Sequence, residues 1–260
     1  MTTTFAELHH DDELLLLPNA WDHASARALA AEGFAAIGTT SLGVAAAAGL
    51  PDGASDTRDE TLRLALTLGS GPYLLSVDAE DGYSDDPDEV AEFAQQLVAV
   101  GAVGINLEDR LGPPALHAAK IAAVKAAAPG LFVNARTDTY WLGGGASETR
   151  DRLDAYQRAG ADGLFVPGLT EPREIAALVK DVDRPLNILY TPGGPTLAHL
   201  ADLGVRRVSL GSLLYRRALG AALETAGEIR AARVPGGAAP SYGEVDALSR
   251  RSDATHSDGP

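Results

Sequence analysis

Three closely similar stretches, Glu32–Gly38 (EGFAAIG), Val100–Asn106 (VGAVGIN) and Ala159–Phe165 (AGADGLF), recur along the 260-residue chain. Each one leaves a segment with helical spacing, passes through a glycine and enters a short apolar run. A glycine after the last turn suits the left-handed conformation that ends many helices. A continuous apolar run is typical of a parallel strand that is buried on both faces. The repeats therefore predict an array of alternating helices and parallel strands.

Working outward from these repeats, eight apolar runs can be counted, with helical segments between them. Eight alternations in a chain of this length favour a closed (β/α)8 TIM barrel over an open, doubly wound sheet. The pattern G-x-G-x-x-G, which would support the open sheet, does not follow the first run. The predicted strands are Leu14–Leu17, Ala35–Gly38, Tyr73–Val77, Val103–Leu107, Leu131–Val133, Gly163–Val166, Leu186–Leu189 and Arg207–Leu210. The predicted helices include Ala24–Glu32, Pro87–Val100, Pro114–Ala128, Ala146–Ala159, Glu171–Lys180 and Thr196–Leu203, and the glycines expected to end helices are Gly33, Gly101, Gly130, Gly160 and Gly204.

After the eighth run, the sequence predicts one long helix over Leu213–Arg230, so that residues 1–234 would form the barrel with its terminal helix. From residue 235 onward, Gly, Pro, Ser and Asp dominate. A short helix is expected over Tyr242–Arg250 in this C-terminal extension, and disorder is expected over the last nine residues, 252–260.

Composition excludes several classes of function. The chain has 21 Lys and Arg against 36 Asp and Glu, a net charge of −15, and so lacks the basic surface of a nucleic-acid-binding protein. It has no cysteine, which excludes thiolate nucleophiles and cysteine-based zinc sites. The N-terminal apolar run Leu14–Leu17 is too short for a signal peptide or a membrane span, so we expect a cytoplasmic protein.

Carboxylates follow three of the predicted strands. Asp78 and Glu80 come directly after the third run, and their spacing places both on the same side of an extended segment. Glu108 and Asp109 follow the fourth run, and Asp52 lies about a dozen residues after the second. Neighbouring strand ends lie roughly 5 Å apart, so these negative charges would crowd together unless a cation offset them.

The oxygen ligands in this cluster suit Mg²⁺ or Mn²⁺ better than Zn²⁺. The alternative is that the acids are solvated or cap helices, which is the preferred interpretation for Asp85, Asp86 and Asp88 ahead of a helix. None of the six histidines has metal-ligand spacing to another, and each is expected to be structural or exposed.

Two further positions could bind an anion. Arg136 directly follows the fifth run and could pair with a substrate carboxylate through two hydrogen bonds, or form an internal salt bridge with Asp109 or Asp138. Ser41 lies in a predicted loop, where its hydroxyl and neighbouring amides could hold an anion or stabilise a turn.

At these residues the chain closely resembles the isocitrate lyase/phosphoenolpyruvate mutase superfamily. The resemblance runs from about residue 15 to residue 218 and is specific, because several motifs occur in the same order. These motifs are PNAWDHASARALAAEGFAAIGTTSLGVAAAAGLPDG (18–53), SVDAEDGYSDDPDEV (76–90), GAVGINLEDR (101–110), FVNARTD (132–138), GADGLFVPGL (160–169) and LGVRRVSLG (203–211).

The resemblance implies a (β/α)8 barrel, Mg²⁺ held largely through water, and a 2-oxo or 2-hydroxy carboxylate that reacts through an enolate. By position, Asp78 is implied as the direct metal ligand, with Glu80, Glu108 and Asp52 holding the metal's waters. Ser41 and the amides of Leu42 and Gly43 match the carboxylate cradle. Arg136 and Asn187 match substrate contacts, and Arg136, Glu108 and Asn187 are the implied catalytic residues. Members are typically tetrameric, with a C-terminal helix such as Leu213–Arg230 packed on a neighbouring subunit.

Two departures from the family pattern limit what the resemblance implies. Glu80 stands where several members have Asp, and the loop after Glu108 is short and carries no cysteine to act as acid or base. The resemblance therefore predicts a magnesium-dependent carbon–carbon lyase or decarboxylase that acts on a small carboxylate. One alternative is a P–C bond enzyme of the phosphonopyruvate mutase or hydrolase type, for which the short loop offers Arg110 and Lys120 as cations. The other is a barrel that binds a carboxylate without catalysis; in each case we expect a dimer or tetramer.

Overall fold

In the computed structural model, which describes residues 4–249, nine parallel strands form a barrel whose first strand is interrupted at Pro18. β1 (Leu15–Leu17) pairs with β9 (Arg207–Ser209), and β2 (Asn19–Ala20) pairs with β3 (Ala36–Thr39). Proline has no N–H to donate, but the carbonyl of Pro18 accepts a hydrogen bond from the Gly38 amide at 2.8 Å. β1 and β2 thus act as one barrel strand, and the predicted (β/α)8 TIM barrel is confirmed. The other strands are β4 (Leu74–Asp78), β5 (Ala102–Glu108), β6 (Phe132–Arg136), β7 (Gly163–Val166) and β8 (Leu186–Leu189).

Helices follow the strands around the outside of the barrel. Those that correspond to predicted segments are α1 (His23–Ala31), α4 (Pro87–Ala99), α5 (Pro114–Ala127), α6 (Thr149–Arg158), α7 (Pro172–Asp181), α8 (Leu197–Asp202), α9 (Leu213–Arg230) and α10 (Tyr242–Leu248). Two further helices, α2 (Ser41–Ala48) and α3 (Arg58–Leu68), were not predicted. The α2 sequence, SLGVAAAA, is apolar on every side and therefore gives no helical periodicity to detect.

Four of the five glycines expected to end helices do so. Gly33, Gly101, Gly160 and Gly204 have φ between +90° and +103°, in the left-handed region. The expectation for Gly130 was wrong: α5 stops at Ala127, and the chain passes through Pro129 before it reaches this glycine, which does not have positive φ.

Alternate strand residues point into the barrel and form three layers. The bottom layer is apolar and includes Phe5, Leu17, Ala36 and Phe132. The middle layer is polar, and the top layer lies at the C-terminal ends of the strands. Outward-facing residues such as Val77, Ile105 and Leu107 pack in the main core beneath the helices. Members of the middle layer are Ser76, Asn106, Asn134, Asn187 and Arg207, all buried.

The two ends of the described chain close onto the barrel differently. A 3-10 turn at Glu7–His9 covers the bottom, where the His9 ring stacks on Phe132 with centroids 4.1 Å apart. In the C-terminal extension, α10 returns to α1, and His23 Nε2 lies 3.2 Å from the Leu248 carbonyl oxygen. The predicted end of this helix at Arg250 and the predicted disorder of 252–260 lie outside the described residues. Within residues 4–249, no helix combines the length and apolar character needed to cross a bilayer.

Candidate functional site

A pocket of about 110 Å³ opens at the C-terminal ends of the strands. Five of the predicted site residues line it: Ser41, Leu42, Asp52, Asp78 and Arg136. Its opposite side is apolar and includes Phe165 and Leu189. The pocket therefore joins carboxylates, an arginine and a hydrophobic wall at the edge of the barrel where function is expected.

Arg136 lies at the centre of the charged side. It ends β6, next to Glu108 at the end of β5, and its Nη1 lies 2.7 Å from Glu108 Oε2. Its Nε lies 2.6 Å from Asp138 Oδ1. The internal salt bridge with Asp138, one of the two predicted alternatives, is thus present. It does not exclude a substrate contact, because Arg136 also lines the pocket.

Three of the carboxylates at or behind the pocket have raised pKa values. Burial raises the pKa of Asp78. The charge of Arg136 partly offsets this rise, and the charge of Asp52 adds to it. Burial also raises the pKa of Glu80, with a further rise from the charge of Asp78. Burial raises the pKa of Glu108 to about 8 despite its contact with Arg136. Together, the three acids lack enough positive charge around them.

The buried carboxylate of Glu80 is only partly satisfied by hydrogen bonds. One of its carboxylate oxygens accepts a hydrogen bond from the Thr57 hydroxyl, whereas Oε2 is buried without a partner among the described residues. Its backbone has φ +47°, in the left-handed region that costs a non-glycine residue about 1–3 kcal/mol. Its carbonyl accepts the Glu108 amide at 2.8 Å, which ties the two acids together.

This arrangement fits a cation held mainly through water. Within residues 4–249, no group of three His, Cys, Asp or Glu side chains is arranged to hold a metal ion by direct contact. Asp78, however, lines the pocket, and Glu80 and Glu108 lie behind it with insufficient compensation. A single carboxylate ligand with further acids facing the bound waters is a mode that Mg²⁺ commonly adopts.

The start of α2 supplies hydrogen-bond donors on the same side of the pocket. Ser41 is the first residue of this helix rather than part of a loop, so the loop expectation was wrong. Its amide lies 3.3 Å from Asp78 Oδ2, and the preceding Thr40 makes no side-chain cap. The first amides of a helix have no partner within the helix and attract anions. A Cβ at Gly43 would lie 2.8 Å from Thr40 Cγ2, which explains glycine in this turn.

Comparison with known proteins agrees with this geometry. The model of the family described as phosphoenolpyruvate phosphomutase matches residues 5–230. The chain belongs to this family. It is 48% identical to an uncharacterized protein of Mycobacterium tuberculosis, with 86% of this chain and 87% of that protein covered. It is 30% identical to 2-methylisocitrate lyase of Bacillus subtilis, with 76% of this chain and 70% of that protein covered.

A solved structure of phosphonopyruvate hydrolase, in complex with oxalate and Mg²⁺, has the same fold as this family member. The TM-score is 0.81 at 26% identity, with 94% of this chain and 92% of that chain covered. The resemblance to the isocitrate lyase/phosphoenolpyruvate mutase superfamily, inferred from the motifs, is therefore confirmed.

Of the residues singled out in the sequence, Gly43, Glu80 and Glu108 do not line the pocket of this family member, and Asn187 and Asp109 lie away from it. Asn187 does not line it; the side chain belongs to the middle layer, where Nδ2 donates to Ser209 Oγ at 3.0 Å. Asp109 points out of the barrel and is buried against Arg152, with Nη1 to Oδ2 at 3.1 Å. Asp86 caps α4, as expected, by accepting the Asp88 amide at 2.9 Å.

Sequence reasoning missed ten of the residues that line the pocket, among them Asn19, Asn106, Trp141 and Ser209. Asn106 is a polar residue inside the apolar run Val103–Leu107, and this departure from the pattern was a usable signal. Trp141 lies in the loop after β6, where no local pattern distinguishes a pocket residue from an exposed one. Asn19 follows Pro18 and accepts the Leu210 and Gly211 amides at 3.0 and 2.8 Å, a contact across 192 residues that periodicity cannot reveal.

Proposed function

We propose that the protein is a Mg²⁺- or Mn²⁺-dependent lyase that acts on a small 2-oxo or 2-hydroxy carboxylate. The reaction would break a carbon–carbon bond, by cleavage or decarboxylation, through an enolate. The observation that carries this proposal is one pocket in which undercompensated carboxylates face donors suited to an anion. The names of two similar proteins, a 2-methylisocitrate lyase and a hydrolase bound to oxalate and Mg²⁺, support it.

In this proposal the four acids have two different roles in binding the cation. Asp78 is the direct ligand, because it is the strand-end acid that lines the pocket. Asp52 lines the same pocket, and Glu80 and Glu108 lie behind it, so these three would hold the metal's waters. When bound, the cation would supply Lewis-acid stabilisation of negative charge on the substrate oxygen.

The chain's own donors would bind the substrate carboxylate. Ser41 and Leu42, at the start of α2, and Arg136 all line the pocket, and the amides of the first two and the guanidinium of the third are the proposed donors. Arg136 is held in place by Glu108 and Asp138, so its orientation is fixed before the substrate binds. Arg136 and Glu108 remain the proposed catalytic residues. Asn187 is proposed to act from the layer below.

The distribution of cations favours carbon–carbon chemistry over the P–C alternative. Among the described residues that line the pocket, Arg136 is the single basic side chain. Arg110 is 3.1 Å from Asp81 Oδ2, and Lys120 donates to the Asp81 carbonyl at 3.1 Å. Both line a second pocket of about 460 Å³, which Glu108 also lines. A transferred phosphoryl group needs charge stabilisation on several oxygens, which one already paired arginine supplies poorly.

The experiment is a panel of 2-oxo and 2-hydroxy acids, including oxaloacetate, incubated with the protein and Mg²⁺. Mass spectrometry would detect cleavage products, and NMR in D₂O would detect deuterium exchange beside the carbonyl. We expect exchange or cleavage with at least one acid, and its loss when the metal is chelated. If none of the acids that bind undergoes exchange or cleavage, the result would favour a barrel that binds a carboxylate without catalysis.

We also propose that the protein is a homo-oligomer in which α9 packs on a neighbouring subunit. None of the 18 residues of this helix is buried in the single chain. Leu219, Leu223 and Ile229 are 51%, 68% and 61% exposed, and exposed apolar side chains on one element are typical of an interface. Light scattering coupled to size-exclusion chromatography tests the proposal, and a monomeric wild type would contradict it.

A further inference from the structure

The middle layer of the barrel holds a cation that has no acidic partner within residues 4–249. Arg207, in β9, is 1% exposed. No Asp or Glu among residues 4–249 lies within ion-pair distance of its guanidinium. The Phe5 ring lies below it, 5.9 Å from Cζ. An unpaired buried cation is costly, so its neutral partners and the charges above it in the barrel must offset that cost.

The neutral partners of Arg207 form the floor of the pocket. Nη2 donates to Asn106 Oδ1 at 3.1 Å, and Nε donates to Ser209 Oγ at 3.1 Å. Both acceptor residues line the pocket. Asn106 Oδ1 also accepts Asn134 Nδ2 at 2.9 Å. The charge of Arg207 therefore lies directly beneath the pocket and is joined to it by two hydrogen bonds.

These contacts determine which end of the Asn106 amide faces the pocket. A guanidinium can only donate hydrogen bonds, so the Asn106 atom beside Arg207 must be the oxygen. The usual ambiguity between the oxygen and nitrogen of an asparagine side chain is thereby removed. Asn106 Nδ2 has no hydrogen bond to any described residue, and the side chain reaches the pocket. Asn106 thus presents an N–H donor to whatever binds there.

Ser209 cannot play the same part, because its hydroxyl is already engaged. It accepts from Arg207 Nε and from Asn187 Nδ2 at 3.0 Å, and donates to Asn187 Oδ1 at 3.3 Å. Ser209 is therefore an anchor for Arg207. Of the two floor residues, Asn106 is the one that keeps a free donor.

We propose that Asn106 binds the substrate by donating a side-chain hydrogen bond to an oxygen of the anion, and that Arg207 is the positioning residue that fixes this amide. The inference rests on the proposed function for the class of ligand. A preoriented donor backed by a buried positive charge stabilises negative charge on a bound oxygen. The carboxylates of Asp52 and Asp78, which line the same pocket, cannot by themselves stabilise negative charge on a bound oxygen.

Oxalate in the presence of Mg²⁺ is the probe, because it is a stable dicarboxylate and not a substrate for cleavage. The chain contains four asparagines, Asn19, Asn106, Asn134 and Asn187. Labelling with ¹⁵N-asparagine therefore gives four side-chain NH₂ signals, and the one missing from Asn106→Ala is assigned directly. We expect the largest shift on oxalate binding at Asn106, with smaller shifts at Asn134 and Asn187.

Calorimetric titration with the same probe tests Arg207. Arg207→Gln should weaken oxalate binding about tenfold, the effect of losing one well-oriented hydrogen bond to a charged ligand. Arg207→Lys, which keeps the charge and one donor, should recover part of this loss. Arg206→Gln is the matched control: Arg206 is exposed, donates to the Asp11 carbonyl and should bind oxalate as the wild type does. Thermal unfolding of each variant shows whether it is folded.

The outcomes separate the two proposals. A wild type that does not bind oxalate with Mg²⁺ would overturn the proposed function, and this inference with it. Oxalate binding without a shift at Asn106 would overturn the inference alone, and this readout needs no variant of Arg207. Unchanged affinity in folded Arg207→Gln, or equal losses in the Arg206 and Arg207 variants, would also overturn the role of Arg207.

Discussion

Replacing Asp109 with Asn should destabilise the fold far more than the same change at Asp78, although both acids come from neighbouring strand ends. The Asp109 side chain is fully buried. Its Oδ2 accepts the Thr137 hydroxyl at 2.8 Å, the Tyr156 hydroxyl at 2.7 Å and Arg152 Nη1 at 3.1 Å. Its Oδ1 accepts the amides of Leu111 and Asp138 at 3.0 and 3.1 Å. Burial by itself would raise the pKa of Asp109, but these hydrogen bonds outweigh it and hold the pKa below its usual range.

The expected loss of stability is large because all five partners of Asp109 donate hydrogen bonds to its carboxylate. Asparagine offers one acceptor oxygen and one NH₂ group. Whichever way the amide turns, its NH₂ faces groups that were donors to Asp109. The two hydroxyls can rotate and accept, but Arg152 cannot. Removing one member of a buried ion pair costs about 3–5 kcal/mol, a large part of a typical stability of about 5–15 kcal/mol. For a chain of this size, Tm should fall by roughly 10 °C.

Urea denaturation in EDTA measures this difference without any contribution from metal binding. Asp109→Asn should lower the midpoint at unchanged m. Asp78→Asn is the matched control, because the Asp78 side chain accepts a single amide, from Ser41 at 3.3 Å, and should change stability by no more than about 1 kcal/mol. A loss below about 1 kcal/mol at Asp109, or equal losses at both positions, would refute the assignment of Asp109 to the scaffold.

Three further predictions concern the cation, acid stability and the pocket. Asp78→Ala should lose the rise in Tm that Mg²⁺ gives the wild type, and a thermal-shift response equal to wild type would show that the ligand assignment is wrong. Burial, with the charge of Arg207, lowers the pKa of His9 to about 3. The unfolded chain, with a histidine pKa of about 6.5, therefore binds the extra proton first as pH falls. The contribution of His9 to stability should be full above pH 6.5 and lower by about 2 kcal/mol at pH 5. Urea titrations of His9→Asn should show a loss of stability between pH 6.5 and pH 5 that is smaller than that of wild type by about this amount, and a pH dependence like that of wild type would contradict the argument. Trp141 lines the pocket and is 55% exposed, so oxalate with Mg²⁺ should change the fluorescence of wild type and Trp21→Phe but not of Trp141→Phe.

The fold could be predicted from the sequence because its information is local and repeated. Each of the eight apolar runs became a strand, with shifts of one to three residues at some ends, and four of five glycines ended helices where expected. What escaped prediction depended on distant contacts or on featureless composition. Pro18 splits the first strand, but both halves stay in the barrel because they pair with β9 and β3, which lie on its two sides. The helix α2 is too uniformly apolar to show a period.

The candidate site was predicted less evenly. Ser41, Asp52, Asp78 and Arg136, which the family motifs singled out, all line one pocket. The motifs could not show that Arg136 is also paired with Glu108, because that contact depends on side-chain reach across neighbouring strands. The motifs also could not reveal the residues that form the floor of the pocket. The contact from Arg207 to Asn106 joins residues 101 positions apart through the barrel interior, where no periodicity is shared.

The adjacent residues Glu108 and Asp109 show why strand parity decides the role of each acid more directly than motif membership does. Glu108 is the last residue of β5 and keeps the inward direction of Gly104 and Asn106. It therefore meets Arg136 and the acids beside the pocket. Asp109 comes one position later and faces outward, where Arg152 and Tyr156 of α6 enclose it. One carboxylate is left short of positive charge beside a pocket, whereas the other is saturated with donors. The first arrangement favours binding a cation, and the second favours holding a helix against the barrel.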